Sequence, residues 1–78
     1  MTNLEKYNNA FIENFEVSEN KLNDLVYQSV DQWDSVGHMG LIADLEDAFD
    51  ITLEMDDIVD FSGYHEGKNI LAKYDVSF

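Results

Sequence analysis

Few residues in this 78-residue chain carry chemical potential: two histidines, one Asp-Ser step and a dense run of carboxylates. His38 and His65 are the only histidines, and His38 falls on the core face of its helix, where a buried, hydrogen-bonded histidine is a commoner explanation than a catalytic one. Asp44, Glu46, Asp47, Asp50, Glu54, Asp56, Asp57 and Asp60 place 8 carboxylates in 17 residues. That run lacks the glycine and the regular ligand alternation of a calcium loop, so it predicts diffuse attraction for divalent ions rather than a dedicated metal site. Cysteine is absent, which excludes disulfides and cysteine-based zinc sites. The informative step is Trp33-Asp34-Ser35-Val36-Gly37. Asp34 is placed to cap a helix, and the Ser35 hydroxyl then sits at that helix's positive end. A phosphate ester formed there would meet first-turn N–H groups and the helix dipole. The dipeptide by itself is weak evidence, because Asp-Ser at a helix start is usually just a cap.

The elements that must position this step follow from hydrophobic spacing. Thr2 and Glu5 have capping-box spacing, and Leu4, Tyr7, Ala10, Phe11 and Phe15 form one stripe, predicting a helix over 3–15. Residues 16–34 read as a long extended connection, with Leu22, Leu25 and Tyr27 packed over the helices. The composition of Leu25–Val30 is strand-like, but no second strand offers itself as a partner. A second helix is expected over 35–49, with His38, Leu41, Ile42, Leu45 and Phe49 on its core face. Its outer face then carries Val36, Met39, Gly40, Ala43 and Asp47. A short helix is expected over 56–61, with Ile58 and Phe61 turned inward. A last helix over 64–74 buries Ile70, Leu71 and Tyr74. The expected fold is all-α: a single domain, residues 1–78, forming a small four-helix bundle of three main helices and one short one.

Composition narrows the partners. Seventeen acidic residues against four lysines, and no arginine, give a formal charge of −13. Nucleic acid is excluded as a partner because its phosphates are held by clustered Lys and Arg. Anionic membrane surfaces are disfavoured for the same reason. Hydrophobic content of 45% and aromatic content of 13% argue for a folded chain rather than an acidic disordered one. A domain this short buries only about 60% of its unfolded surface, so a thin stability margin is expected. No apolar run is long enough to span a membrane and the N-terminus has no signal-peptide pattern, so the expected location is the cytoplasm.

No basic residue lies between Lys21 and Lys68, and that window holds 12 of the 17 acids together with Ser35. Exposed Val36, Met39 and Ala43 rimmed by Asp44, Glu46 and Asp47 make a surface suited to a transient basic partner. Gly37 and Gly40, spaced i, i+3, admit either a closely approaching partner backbone or a frayed helix end.

With these residues in place, the chain resembles the acyl carrier protein family. The resemblance rests on Asp34-Ser35-Val36 followed by Leu41-Ile42-Ala43-Asp44-Leu45-Glu46-Asp47-Ala48-Phe49-Asp50-Ile51, and extends through Asp56-Asp57-Ile58 and the last helix. It implies a non-enzymatic carrier whose Ser35 Oγ receives 4′-phosphopantetheine from coenzyme A, through a phosphopantetheinyl transferase using Mg²⁺. The prosthetic thiol then carries an acyl group as a thioester to acyl-loading and acyl-transfer enzymes with basic docking patches. By the same resemblance, Asp34 orients the site, Glu46 and Asp47 are acidic recognition positions, and Val36 and Met39 are apolar contacts. Leu41, Ile42, Leu45, Phe49 and Ile58 line a space that shelters the chain, and the carrier acts as a monomer. Gly40, the Gly37-His38 pair and Trp33 depart from carriers of fatty-acid synthesis and look more like stand-alone carriers of specialised pathways. An aminoacyl or peptidyl carrier is the nearest alternative. An acidic interaction module that is never modified is the alternative of another class.

Overall fold

Local signals set the helix starts. In the computed structural model, which describes residues 1–78, α1 spans Asn3–Phe15. Its capping box is complete: Glu5 N–H donates to Thr2 Oγ1 at 3.1 Å, and Thr2 N–H donates to Glu5 Oε1 at 3.0 Å. Each bond satisfies a donor that the helix itself leaves orphaned. The helix α2 spans Ser35–Phe49, and Asp34 Oδ1 accepts from Gly37 N–H at 2.8 Å. A six-residue α3 (Met55–Asp60) and a nine-residue α4 (Tyr64–Ala72) complete the all-α architecture. None of these helices is long and apolar enough to cross a membrane.

Four details differ from the sequence expectation. The connection is not extended throughout, because Glu19–Asp24 winds into a 3₁₀ helix that buries Leu22. The strand-like segment after it does find a partner. Val26 and Gly63 form an antiparallel bridge, in which Tyr27 N–H donates to Ser62 O at 2.8 Å and Tyr64 N–H donates to Leu25 O at 2.9 Å. That pairing satisfies backbone groups that burial would otherwise penalise. Leu4 is 38% exposed, since its turn lies beyond the aromatic cluster that begins at Tyr7. Tyr74 lies past the end of α4 and is only half-buried, its hydroxyl donating to Asp57 Oδ2.

The core is an aromatic cluster. Tyr7, Phe11 and Phe15 of α1 meet Trp33, Phe61 and Tyr64, all essentially without solvent exposure. Trp33 stacks on Phe15 at 4.9 Å and meets Phe11 edge-on at 5.6 Å. Each fully buried side chain of this size contributes about 1.5–3 kcal/mol by leaving water, and well-placed ring pairs add roughly 0.5–1.5 kcal/mol. Tyr7 keeps its hydroxyl satisfied by donating to Tyr64 O, and burial pushes its phenol well above the ordinary range. The layer beneath α2 is aliphatic, built from Leu41, Ile42 and Leu45 with Leu53 and Leu71.

The glycines mark close approaches within the chain. A Cβ on Gly37 would collide with the Gln32 carbonyl and reach Phe15 at 3.3 Å, while one on Gly40 would meet Asn14 Oδ1 at 2.9 Å. Both positions are therefore filled by the protein's own atoms, not left open for a partner backbone. Asn14 then ties α1 to α2 by donating to Asp44 Oδ2 at 2.7 Å.

Candidate functional site

Ser35 is the first residue of α2 and is exposed. Asp34 takes the Gly37 N–H and His38 N–H donates to Asp34 O at 2.8 Å, whereas the N–H groups of Ser35 and Val36 donate to nothing in the chain. A 15-residue helix thus presents two free donors and one hydroxyl at its positive end. The backbone carrying them is held from beneath. Trp33, immediately before the cap, is fully buried, and its Nε1–H donates to His38 Nδ1 at 3.0 Å, bridging the start of α2.

Beside Ser35 runs a groove of about 400 Å³ between α2 and α3. Its walls are Met39, Met55, Ile58 and Val59, and Tyr27, His38 and Phe61 complete it. Met39, Met55 and Val59 of this lining are 53%, 74% and 73% exposed, and Val36, next to the serine but outside the groove, is 80% exposed. Polar groups nearby are few: Ser35, Ser62 and the imidazole of His38.

The residues singled out from sequence are distributed unevenly around this site. Val36 and Met39 flank Ser35 on the exposed side, and Asp47 is exposed two turns further on. Glu46 is half-buried, and its Oε2 accepts from Leu53 N–H at 2.8 Å, which makes it a brace for the α2–α3 connection. Leu41, Ile42 and Leu45 lie in the closed core at 0–1% exposure. Phe49 is half-buried at the far end of α2, edge-on to Phe78 at 6.3 Å. Of the five residues expected to line a chain-sheltering space, Ile58 alone borders the groove at Ser35.

Met55 and Val59, which form much of the groove wall, were not anticipated. Their i, i+4 spacing, beside Ile58 in an otherwise acidic helix, was the available signal. His38 was placed on the core face, and it is half-buried with both ring nitrogens engaged.

The electrostatics are one-sided. Lys73 and Asp57 form the single ion pair of the structure, leaving every other carboxylate without a basic partner. Asp57 also accepts from the Tyr74 hydroxyl, and that hydroxyl accepts from Glu54 N–H at 2.9 Å. The Lys73 bond first, then the Tyr74 bond, holds the Asp57 carboxyl below the usual carboxylate range. This cluster pins α3, one wall of the groove, to the end of α4.

Compared with known proteins, the chain matches no family model, no curated protein and no solved structure.

Proposed function

We propose that this protein is an acyl carrier whose Ser35 is the attachment point for 4′-phosphopantetheine. The observation that carries the reading is the conjunction at Ser35: an exposed hydroxyl at a helix start, two free N–H donors beside it, and an apolar groove leading away. The residues fit the group. The Ser35 and Val36 amides would be the donors to a phosphodiester on Ser35 Oγ, and Met39, Met55, Ile58 and Val59 would offer apolar surface to the arm and its cargo.

In the modification step Ser35 Oγ bonds to the phosphorus of coenzyme A that bears the pantetheine, and adenosine 3′,5′-bisphosphate departs. The hydroxyl proton must leave through a base of the transferase. His38, the imidazole nearest in sequence, has one nitrogen accepting from Trp33 and the other bonded to Ile58 O. Once bound, the group supplies a thiol that holds acyl cargo as a thioester. The protein's own part is presentation. Asp34 and Trp33 fix the helix start, the groove shields the arm, and unpaired carboxylates such as Asp47 steer basic partners.

The test is transfer in vitro. Purified protein is incubated with coenzyme A, Mg²⁺ and a broad-specificity phosphopantetheinyl transferase, alongside Ser35→Ala, and intact mass is read. Wild type gains one phosphopantetheinyl group and the alanine variant gains none. Absence of the gain in wild type, or an equal gain in the variant, leaves an unmodified acidic interaction module as the better reading. An aminoacyl or peptidyl cargo would be distinguished afterwards by the mass of the thioester-bound species.

A further inference from the structure

Trp, His and a main-chain carbonyl form a chain of hydrogen bonds from the residue before the Ser35 cap to the facing wall of the groove. Trp33 Nε1 can only donate, so His38 Nδ1 carries the lone pair and Nε2 carries the proton. The Nε2–H then donates to Ile58 O at 2.8 Å. His38 is nearly coplanar with Trp33, the two rings meeting edge to edge through the Nε1–H to Nδ1 bond with centroids 6.2 Å apart, and its ring is met edge-on by Tyr27 at 5.6 Å and Phe61 at 6.1 Å. The imidazole is caged in one orientation by aromatic rings. Both contacts it bridges bear on the serine: Trp33 is two residues before Ser35, and Ile58 lines the groove into which Ser35 faces.

We infer that His38 is a positioning residue for modification at Ser35, locking the serine-bearing end of α2 to Trp33 on one side and to α3 on the other. The inference rests on the carrier reading above. Three observations support it beyond general packing. The linkage crosses the helix cap rather than lying within the helix. Gly37 lets the Gln32 carbonyl close against the first turn, so Trp33 can reach beneath it. The Ile58 carbonyl lies only two residues from the end of α3, where carbonyls lack helical partners and are free to accept. With the linkage intact, Ser35 Oγ is presented at a fixed distance from the groove mouth. Without it, the cap and the groove wall move independently.

The test uses transferase kinetics with the carrier as varied substrate, at a temperature where all variants are folded by circular dichroism. His38→Ala is expected to lower kcat for transfer by about tenfold, on the scale of small misplacements of a reacting group, with KM within about twofold because the docking carboxylates are untouched. His38→Gln is expected to recover kcat to within about threefold, because its amide oxygen can accept from Trp33 and its N–H can donate to Ile58 O. The Trp33 indole N–H resonance should shift in the alanine variant and move back toward its wild-type position in the glutamine variant. If His38→Ala does not fold, Trp33→Phe decides the matter: it keeps an aromatic ring in the core, removes the donor, and is expected to lower kcat in the same way. Unchanged kcat in a folded His38→Ala or Trp33→Phe, or His38→Gln as slow as His38→Ala, overturns the inference while leaving the carrier reading intact. Failure of wild type to accept the group at all overturns the carrier reading, and the positioning role with it.

Discussion

Replacing Gly37 with alanine sets two calculable effects against each other. Alanine is the better helix former by about 1 kcal/mol, so on propensity alone the variant should gain stability. The added methyl, however, would fall inside contact distance of the Gln32 carbonyl oxygen, 3.1 Å from its carbonyl carbon and 3.3 Å from Phe15 Cε1. Two of those atoms are backbone and the third belongs to a core ring, so no side-chain rotation relieves the clash. Overpacking of this kind costs about 1–3 kcal/mol. Relief by swinging out the 31–33 segment would also weaken the Trp33–His38 bond, worth roughly 1 kcal/mol, and loosen the stacking of Trp33 on Phe15. The net expectation is destabilisation of about 2 kcal/mol, or a Tm drop of roughly 8–16 °C for a domain of this size. Gly40→Ala is the internal control. Its new methyl would meet only Asn14 Oδ1 at 2.9 Å, the end of a side chain that can turn away. The Asn14–Asp44 bond lost in turning, about 0.5–1 kcal/mol, offsets the propensity gain, leaving a change near zero. Thermal and urea unfolding followed at 222 nm measure both. A Gly37→Ala variant at or above the wild-type Tm, or a Gly40→Ala variant that falls as far, would refute the account of why these glycines stand in the helix.

Three further outcomes are expected. Asp57 has a folded-state pKa depressed by Lys73 and Tyr74, so its contribution is present above the ordinary carboxylate value of about 3.9 and is lost as pH falls through the lower folded value. The Tm difference between wild type and Asp57→Asn should therefore be largest near pH 6–7 and shrink below about pH 4; a gap independent of pH would remove the ion pair from the explanation. Raising salt from low to physiological concentration should raise the wild-type Tm, because it screens self-repulsion at a net charge of −13; an unchanged or lower Tm would count against this. Asp47→Lys should weaken transferase binding in a salt-sensitive manner with little effect on folding, since Asp47 is exposed and makes no ion pair, whereas Glu46→Lys should also lower Tm by removing the acceptor of Leu53 N–H. Equal affinity for wild type and Asp47→Lys at low salt would exclude that position from docking.

Legibility in the sequence tracked the range of the interaction. The start of α1 was readable because Thr2 and Glu5 satisfy each other's backbone three residues apart, and the start of α2 because Asp34 caps the helix it introduces. The aliphatic face Leu41, Ile42 and Leu45 was readable from its period, since one buried stripe faces one core. The bridge between Val26 and Gly63 was not, because its partners are far apart in sequence and a single bridge carries no alternating pattern. Trp33 could be seen beside the Asp-Ser step, but its place in the core depends on Phe15 and Phe11 arriving from α1. The groove was hidden for a similar reason. Met55 and Val59 acquire meaning only once α3 is laid against α2, and the first turn of α3 is held by Asp57 reaching Lys73 and Tyr74 beyond α4. Glu46 showed its acidity in the sequence but not its brace to Leu53. The serine and its cap were thus visible from local spacing, and the groove beside them was not.

The central claim is that Ser35 carries a phosphopantetheine arm in the living cell. The most direct measurement is the intact mass of the chain isolated from its native cells, followed by fragmentation of the peptide containing Trp33–Gly37. A phosphopantetheinyl group located on Ser35, with a free or acylated thiol, is the predicted result. A chain recovered wholly at its unmodified mass, or modified at another residue, would contradict it.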